Sequence, residues 1–208
     1  MNPALFQAKT EIILASASPR RINFLKGIGL PFRAMAADID ETPQPNELPK
    51  AYVHRLAREK ALAVAKEHVN AVVLGADTVI DCHDQILGKP ADPSQALAML
   101  KLLRKKKTHK VITGLAVISL NDEIDICQSS STTVHFAKLP DTVLQAYVAS
   151  GEPMDKAGAY AIQENGGFLV KKISGSSTNV IGLPMYELIN HLLALDIIQP
   201  VPSIDSSA

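Results

Sequence analysis

Asp77 is the carboxylate in this chain most in need of an explanation. It falls in residues 71–80, AVVLGADTVI, an apolar, β-rich run that reads as interrupted at Gly75-Ala76-Asp77-Thr78. A carboxylate where a buried strand should continue needs a metal, a cation or a proton to offset its desolvation. The small residues beside it let another group approach the backbone. Basic residues in unfavourable places could supply that partner or bind an anion next to it. Arg20 and Arg21 occupy the first turn of a helix, where the macrodipole is already positive. With the hydroxyls of Ser16 and Ser18 and free backbone N–H groups, they form a site suited to phosphate. Lys60 falls in the middle of an apolar helical stripe, where an ammonium must snorkel, pair or meet a ligand. Lys89 is held between Gly88 and Pro90 near the strand ends. Asp40 and Glu41 lie adjacent in an acidic, proline-rich loop, residues 37–49.

Each of these residues also has a plain structural reading: an exposed basic helix start, a snorkelling lysine, a solvated acidic loop, a turn at Gly-Ala-Asp. Asp81-Cys82-His83-Asp84 looks like a metal cluster, but four consecutive residues cannot all face one ion, and the flanking strands make it a hairpin turn. The basic run from Arg104 to Lys107 is a solvated helix C-terminus favoured by the dipole.

The elements that must position these groups alternate. Residues 12–14 form a short strand covered on both faces. Ser18 is the natural N-cap and Pro19 the first-turn proline of a helix starting at Arg20. Residues 30–35 form a second strand. At a 100° step over 52–68, Val53, Leu56, Ala57, Ala61 and Val64 share one helical face with Lys60 among them. Residues 94–103 form an amphipathic helix, 109–120 and 124–136 a long hairpin, and 141–150 a helix ended by Gly151. Strands are expected at 159–163 and 168–173, a polar loop at 174–179, and a last helix from Pro184 to Leu195. Residues 1–10 form a flexible arm, and 196–208 a tail that frays from Gln199 onward. The body from 11 to 195 is then a single α/β domain with a mixed sheet.

With 208 residues, 47% of them hydrophobic, a sizeable core is available. The 21 Lys and Arg residues equal the 21 Asp and Glu residues, so any anion site is local, not part of a global field. Neutrality and 4% aromatic content argue against a broad basic stacking face for nucleic acid. No apolar run reaches membrane-spanning length and no targeting signal is visible. Cys82 and Cys127, far apart and outside any Cys-x-x-Cys spacing, point to a reducing compartment and a cytoplasmic protein. P-loop and dinucleotide fingerprints are absent.

Seven stretches in order carry a resemblance: Ser16-Ala17-Ser18-Pro19-Arg20-Arg21, Asp40-Glu41, Arg58-Glu59-Lys60-Ala61, Gly75-Ala76-Asp77-Thr78, Gly88-Lys89-Pro90, Thr113-Gly114, and Asp155-Lys156-Ala157-Gly158-Ala159-Tyr160 with Gln163. Over about Glu11 to Leu195 the chain resembles the Maf family of nucleoside triphosphate pyrophosphatases. That resemblance implies an elongated mixed β-sheet with flanking helices and a cleft between two lobes, as in the inosine triphosphate pyrophosphatases. It further implies a divalent metal, Mg2+ or Mn2+, held by Asp77 and Glu41, and a homodimer. Asp77 would be the proton acceptor, and Lys60, Lys89, Arg20 and Arg21 would hold the triphosphate. Gly-Ala-Asp-Thr and Ala-Gly-Ala-Tyr-Ala-Ile-Gln are similar to the dTTP/UTP branch, with Arg20, Thr78 and Gln163 as specificity positions. The Gln163 amide, with one acceptor and two donors, could match N3–H and a carbonyl of uracil or thymine. The branch acting on 7-methyl-GTP and a nucleotide-binding regulator of division are the alternatives. A regulator would need no water-activating carboxylate. In residues 175–179, GSSTN, the usual aromatic of the family is missing, and Ser177 lies in its place.

Overall fold

The computed structural model describes residues 4–83 and 85–202; Asp84 of the expected turn, and the outermost parts of the expected arm and tail, lie outside the described residues. In chain order the strands and α-helices are β1 (Phe6–Ala8), β2 (Ile12–Leu14), α1 (Pro19–Gly27), β3 (Arg33–Ala34), α2 (Pro49–Ala65), β4 (Val72–Asp81), β5 (Ile86–Leu87), α3 (Pro93–Lys106), β6 (Thr108–Ser119), β7 (Ile124–Phe136), α4 (Asp141–Ala149), β8 (Val170–Ser174), α5 (Ser177–Ile181), α6 (Met185–Ala194) and β9 (Ile198–Pro200). The main sheet runs β3-β2-β4-β6-β7-β8, with β5 hairpinned onto β4. β2 is parallel to β3 and β4, while the β4–β6, β6–β7 and β7–β8 pairs are antiparallel, so the sheet is mixed as expected.

β2 is buried at all three residues. α1 and α6 cover one face of it and of β4 and β6 through Leu25, Leu188 and Leu192. α2 covers the other face with Ala57, Ala61 and Val64. β6 and β7 are long enough to enter a second core, where Val111, Val134 and Phe136 meet Leu100 and Leu103 of α3 and Leu144 of α4. One sheet therefore contributes to several hydrophobic clusters.

At two points α2 comes down onto the sheet with no side chain between the backbones. A Cβ on Gly75 of β4 would lie 2.1 Å from the Ala57 carbonyl oxygen, and one on Gly114 of β6 would lie 2.1 Å from that of Val53. Both glycines are therefore close-approach positions where the helix backbone rests on strand backbone.

Several expectations are corrected. β4 is not interrupted at Gly75-Ala76-Asp77-Thr78: its register to β6 is continuous from Val73↔Ile118 to Asp81↔Lys110. The small residues admit a helix, not a turn. Residues 159–163 are not a strand, because Gly158 and Ala159 both have positive φ and the Gly158 N–H is hooked to the Gly88 carbonyl at 2.9 Å. The last polar loop is partly α5, whose N-cap Ser176 accepts from the Asn179 N–H. Within the expected arm and tail, β1 and β9 pair antiparallel, Phe6↔Pro200 through Ala8↔Ile198, with Phe6 and Ala8 against the α1–α6 core. Apolar side chains two apart were enough for a short strand there.

His109 of β6 is buried, and its Nε2 lies 2.6 Å from the Tyr160 hydroxyl. Burial pushes its pKa down to about 4, from an ordinary value of 6.5. The folded state thus holds a neutral imidazole where the unfolded chain takes up a proton.

Gly75→Ala is expected to destabilise the fold by about 3 kcal/mol or more, since backbone must move; urea unfolding checks it. His109 contributes stability that is present above pH 6.5 and lost as pH falls towards 4, up to roughly 3 kcal/mol from a pKa difference of this size. Urea midpoints across that window should show a loss that is absent in His109→Gln.

Candidate active site

A cleft of about 820 Å3 lies where β2, β4, α1, the 37–49 loop, the Gly88-Lys89 turn and the 155–163 segment meet. All ten residues singled out from the sequence border it: Ser16, Ser18, Arg20, Arg21, Glu41, Lys60, Asp77, Thr78, Lys89 and Gln163. They come from six separate stretches of chain.

Its centre is an ammonium between two carboxylates. Asp77 projects from β4 on the face that α2 covers, with glycine as its cross-strand partner at Gly114. Lys60, one turn along α2 from Ala57, reaches it with Nζ 2.7 Å from Asp77 Oδ1 and 2.8 Å from Glu41 Oε1. Lys60 and Asp77 are each 8% exposed. Glu41 is more open, and its loop is tied back to α2 where the Tyr52 hydroxyl donates to its backbone carbonyl at 2.8 Å. Burial pushes the Asp77 carboxyl above the usual carboxylate range; the Lys60 and Arg21 charges oppose this without cancelling it. Burial, with Asp77 and Glu41 nearby, raises the Tyr52 phenol to about 12, so it remains a donor at neutral pH.

Ser18 occupies the N-cap position of α1, but its side chain makes no capping bond; instead its N–H donates to Ser16 Oγ at 3.2 Å. Arg20 faces the cleft mouth, 3.8 Å from the Asp155 carboxylate. Arg21 turns inward. Its Nε donates to the Gly182 carbonyl at 2.8 Å, Nη1 to Ser16 Oγ at 3.1 Å and Nη2 to Thr78 Oγ1 at 3.2 Å. Desolvation lowers its pKa, with Asp77 acting in the opposite sense. Arg21 therefore organises the wall as much as it offers charge to a ligand.

Sequence reasoning did not assign a site role to Lys156, Thr113 or Asn179, although the first two lie in motifs it singled out. Lys156 is 5% exposed at the cleft wall and binds the Glu152 carbonyl, Asp155 and Glu164. Thr113 and Asn179 continue the Arg21–Thr78 chain inward, with Thr113 Oγ1 donating to the Asn179 carbonyl at 2.9 Å. The signal for these is a buried polar residue without an apolar explanation, which composition alone does not reveal.

Among the described residues no group of three or more His, Cys, Asp or Glu side chains is assembled to hold a metal. Two carboxylates that already share one cation, Asp77 and Glu41, nonetheless fit a hard divalent ion. Mg2+ commonly uses one or two carboxylates and completes its shell with phosphate oxygens and water.

The profile of the Maf-like protein family matches residues 11–195. Proteins called dTTP/UTP pyrophosphatase from Myxococcus xanthus, Geobacter sulfurreducens and Desulfotalea psychrophila are similar to it. The first is 48% identical over 87% of this chain and 90% of its own length. The second is 46% identical over 88% and 96%, and the third 43% identical over 93% and 99%. Among solved structures, the Ham1 protein of Staphylococcus aureus aligns with a TM-score of 0.49 and 14% identity, over 89% of this chain and 99% of that one.

Arg21→Lys should lower stability by about 2 kcal/mol, because a single ammonium cannot satisfy three acceptors that a planar fork reaches. For a chain of this length that is a fall of roughly 4–8 °C in the unfolding midpoint, readable by calorimetry.

Proposed function

The chain belongs to the Maf-like family, and from that premise we propose that it is a nucleoside triphosphate pyrophosphatase acting on dTTP and UTP, in a house-cleaning role. The names of its relatives support the substrate. The observation that carries the reading is the convergence of cations from α1, α2 and the Gly88-Lys89 turn beside one buried carboxylate, in a cleft of nucleotide size.

In this reading the triphosphate lies along Arg20, Lys89 and Lys60, whose fixed charges offset the charge developing on the phosphate oxygens. Asp77 orients a water molecule and accepts its proton as the oxygen attacks the α-phosphorus. The bond from that phosphorus to the α–β bridging oxygen breaks, and pyrophosphate leaves from the nucleoside monophosphate. Asp77 and Glu41 would hold a divalent ion, Mg2+ or Mn2+, which when bound would neutralise charge on the phosphate oxygens. Lys60 links the two carboxylates and keeps Asp77 in register with Glu41 from the 37–49 loop. Gln163, which also borders the cleft, would meet the base, with Arg20 and Thr78 as its companions. Ser16 and Ser18, beside the α1 N-terminus, would meet phosphate oxygens.

We place the enzyme in the cytoplasm, as the two free cysteines favour, and read it as a homodimer, neither a nucleic-acid nor a membrane binder. Among the described residues no helix is long and apolar enough to cross a bilayer.

A panel of nucleoside triphosphates with Mg2+ or Mn2+, scored for pyrophosphate against orthophosphate, is expected to give pyrophosphate from dTTP and UTP. Asp77→Asn should lower kcat about 10²–10⁴-fold, the usual contribution of a positioned general base, while the unfolding midpoint stays near wild type. Wild-type turnover in that variant would sink the assignment.

A further inference from the structure

Two hydroxyls at the cleft are held by one guanidinium, and counting their bonds assigns each a polarity. A hydroxyl has one proton and two lone pairs. Ser16 Oγ accepts from Arg21 Nη1 and from the Ser18 N–H, at 3.1 and 3.2 Å. Both lone pairs are engaged, and what remains for a ligand is a proton, suited to a phosphate oxygen. Thr78 is the reverse case. Thr113 is wholly buried and gives its single proton to the Asn179 carbonyl at 2.9 Å. Between Thr78 Oγ1 and Thr113 Oγ1, 3.0 Å apart, the donor must therefore be Thr78. Arg21 Nη2 takes one Thr78 lone pair. A single lone pair is left on a residue that borders the cleft.

We propose that Thr113 is a positioning residue that holds the Thr78 hydroxyl as an acceptor only, and that this polarity selects pyrimidines with an imide N–H, uracil and thymine, over cytosine. The proposal rests on the nucleotide-hydrolysis reading above. An imide N–H donates to the remaining lone pair of Thr78. The ring nitrogen of cytosine is itself an acceptor, so two lone pairs would face each other with no proton between them. The Gln163 amide cannot set this discrimination alone, because it presents a donor or an acceptor according to which way it is turned. A free threonine hydroxyl would be equally permissive. The chain behind Thr78 removes that freedom: it ends on a main-chain carbonyl, which cannot return a proton. That carbonyl also accepts the Gly182 N–H at 3.0 Å. The Asn179 side chain is fixed in turn, with Nδ2 donating to the Val111 carbonyl at 3.0 Å and to Thr132 Oγ1 at 2.9 Å.

The test is the ratio of kcat/KM for UTP to that for CTP, measured with unfolding midpoints for wild type, Thr113→Val and Thr113→Ser. Thr113→Val frees the Thr78 proton and is expected to narrow the ratio about tenfold, the scale of one hydrogen bond; Thr113→Ser should restore it. A folded Thr113→Val with the wild-type ratio overturns the inference, as does an equal loss on both nucleotides, and either result leaves the hydrolase reading standing. A wild type without preference for UTP over CTP also overturns it. A wild type that forms no nucleoside monophosphate from any triphosphate overturns both. Should Thr113→Val fail to fold, Thr78→Val is read in the same way: it lacks the acceptor, and an unchanged ratio refutes the proposal.

Discussion

The contact on which the site depends is backbone against backbone, where α2 rests on β4 and β6 at Gly75 and Gly114. With any larger residue there the helix would ride higher on the sheet. Lys60 would then not close to 2.7 Å on a carboxylate that rises from the strand. The approach also buries the pair, and burial raises the energetic stakes of every charge it encloses. Asp77 shows this directly: two cations nearby do not bring its pKa back to the ordinary range. A carboxyl held in that condition is a stronger proton acceptor than one on an open loop.

Around this pair the wall is organised by Arg21. Its three bonds join the N-terminal loop of α1, the strand β4 and the turn after α5, three pieces distant in sequence. That use answers why an arginine sits in a first helical turn against the dipole: the local penalty is offset by tertiary bonds made with a guanidinium that no short side chain could replace. Arg20, its neighbour, borders the cleft beside the Asp155 carboxylate, 3.8 Å away. Two adjacent arginines thus differ in surroundings, one bonded to three acceptors within the wall and one beside a carboxylate at the cleft, a division invisible in their shared motif.

Much of the site was legible because its residues break local rules. A lysine in an apolar stripe, a carboxylate in a β-run and arginines at a positive helix end are each costly unless something distant compensates, and here the compensations meet in one cleft. The fold was legible where periodicity was strong, in α2, α3 and the β6–β7 hairpin. It was misread where tertiary contact overrode pattern. Gly-Ala-Asp-Thr looked like a break because small residues usually mark one, yet in β4 they make room for a helix. Residues 159–163 looked like a strand, but two positive-φ residues ahead of them, hooked to Gly88, turned the chain. β1 and β9 were too short and too far apart in sequence for either to signal the other. Lys156 and Asn179 were passed over because loop composition does not distinguish a buried polar group from a solvated one.

Zero net charge and a triphosphate ligand are reconciled by this arrangement. A protein with no overall field cannot steer an anion from afar, so recognition must be local and geometric. Charge then fixes where phosphates lie but is indifferent to the base, since every nucleoside triphosphate carries the same tail. Discrimination between bases has to come from uncharged groups whose donor or acceptor sense is fixed before the ligand arrives. A hydroxyl locked by neighbours meets that requirement; an exposed amide or a mobile serine does not. The same guanidinium that ties the loop to the strand leaves a proton on Ser16 and a lone pair on Thr78, so one partly buried cation prepares the cleft for the two chemically opposite ends of its ligand.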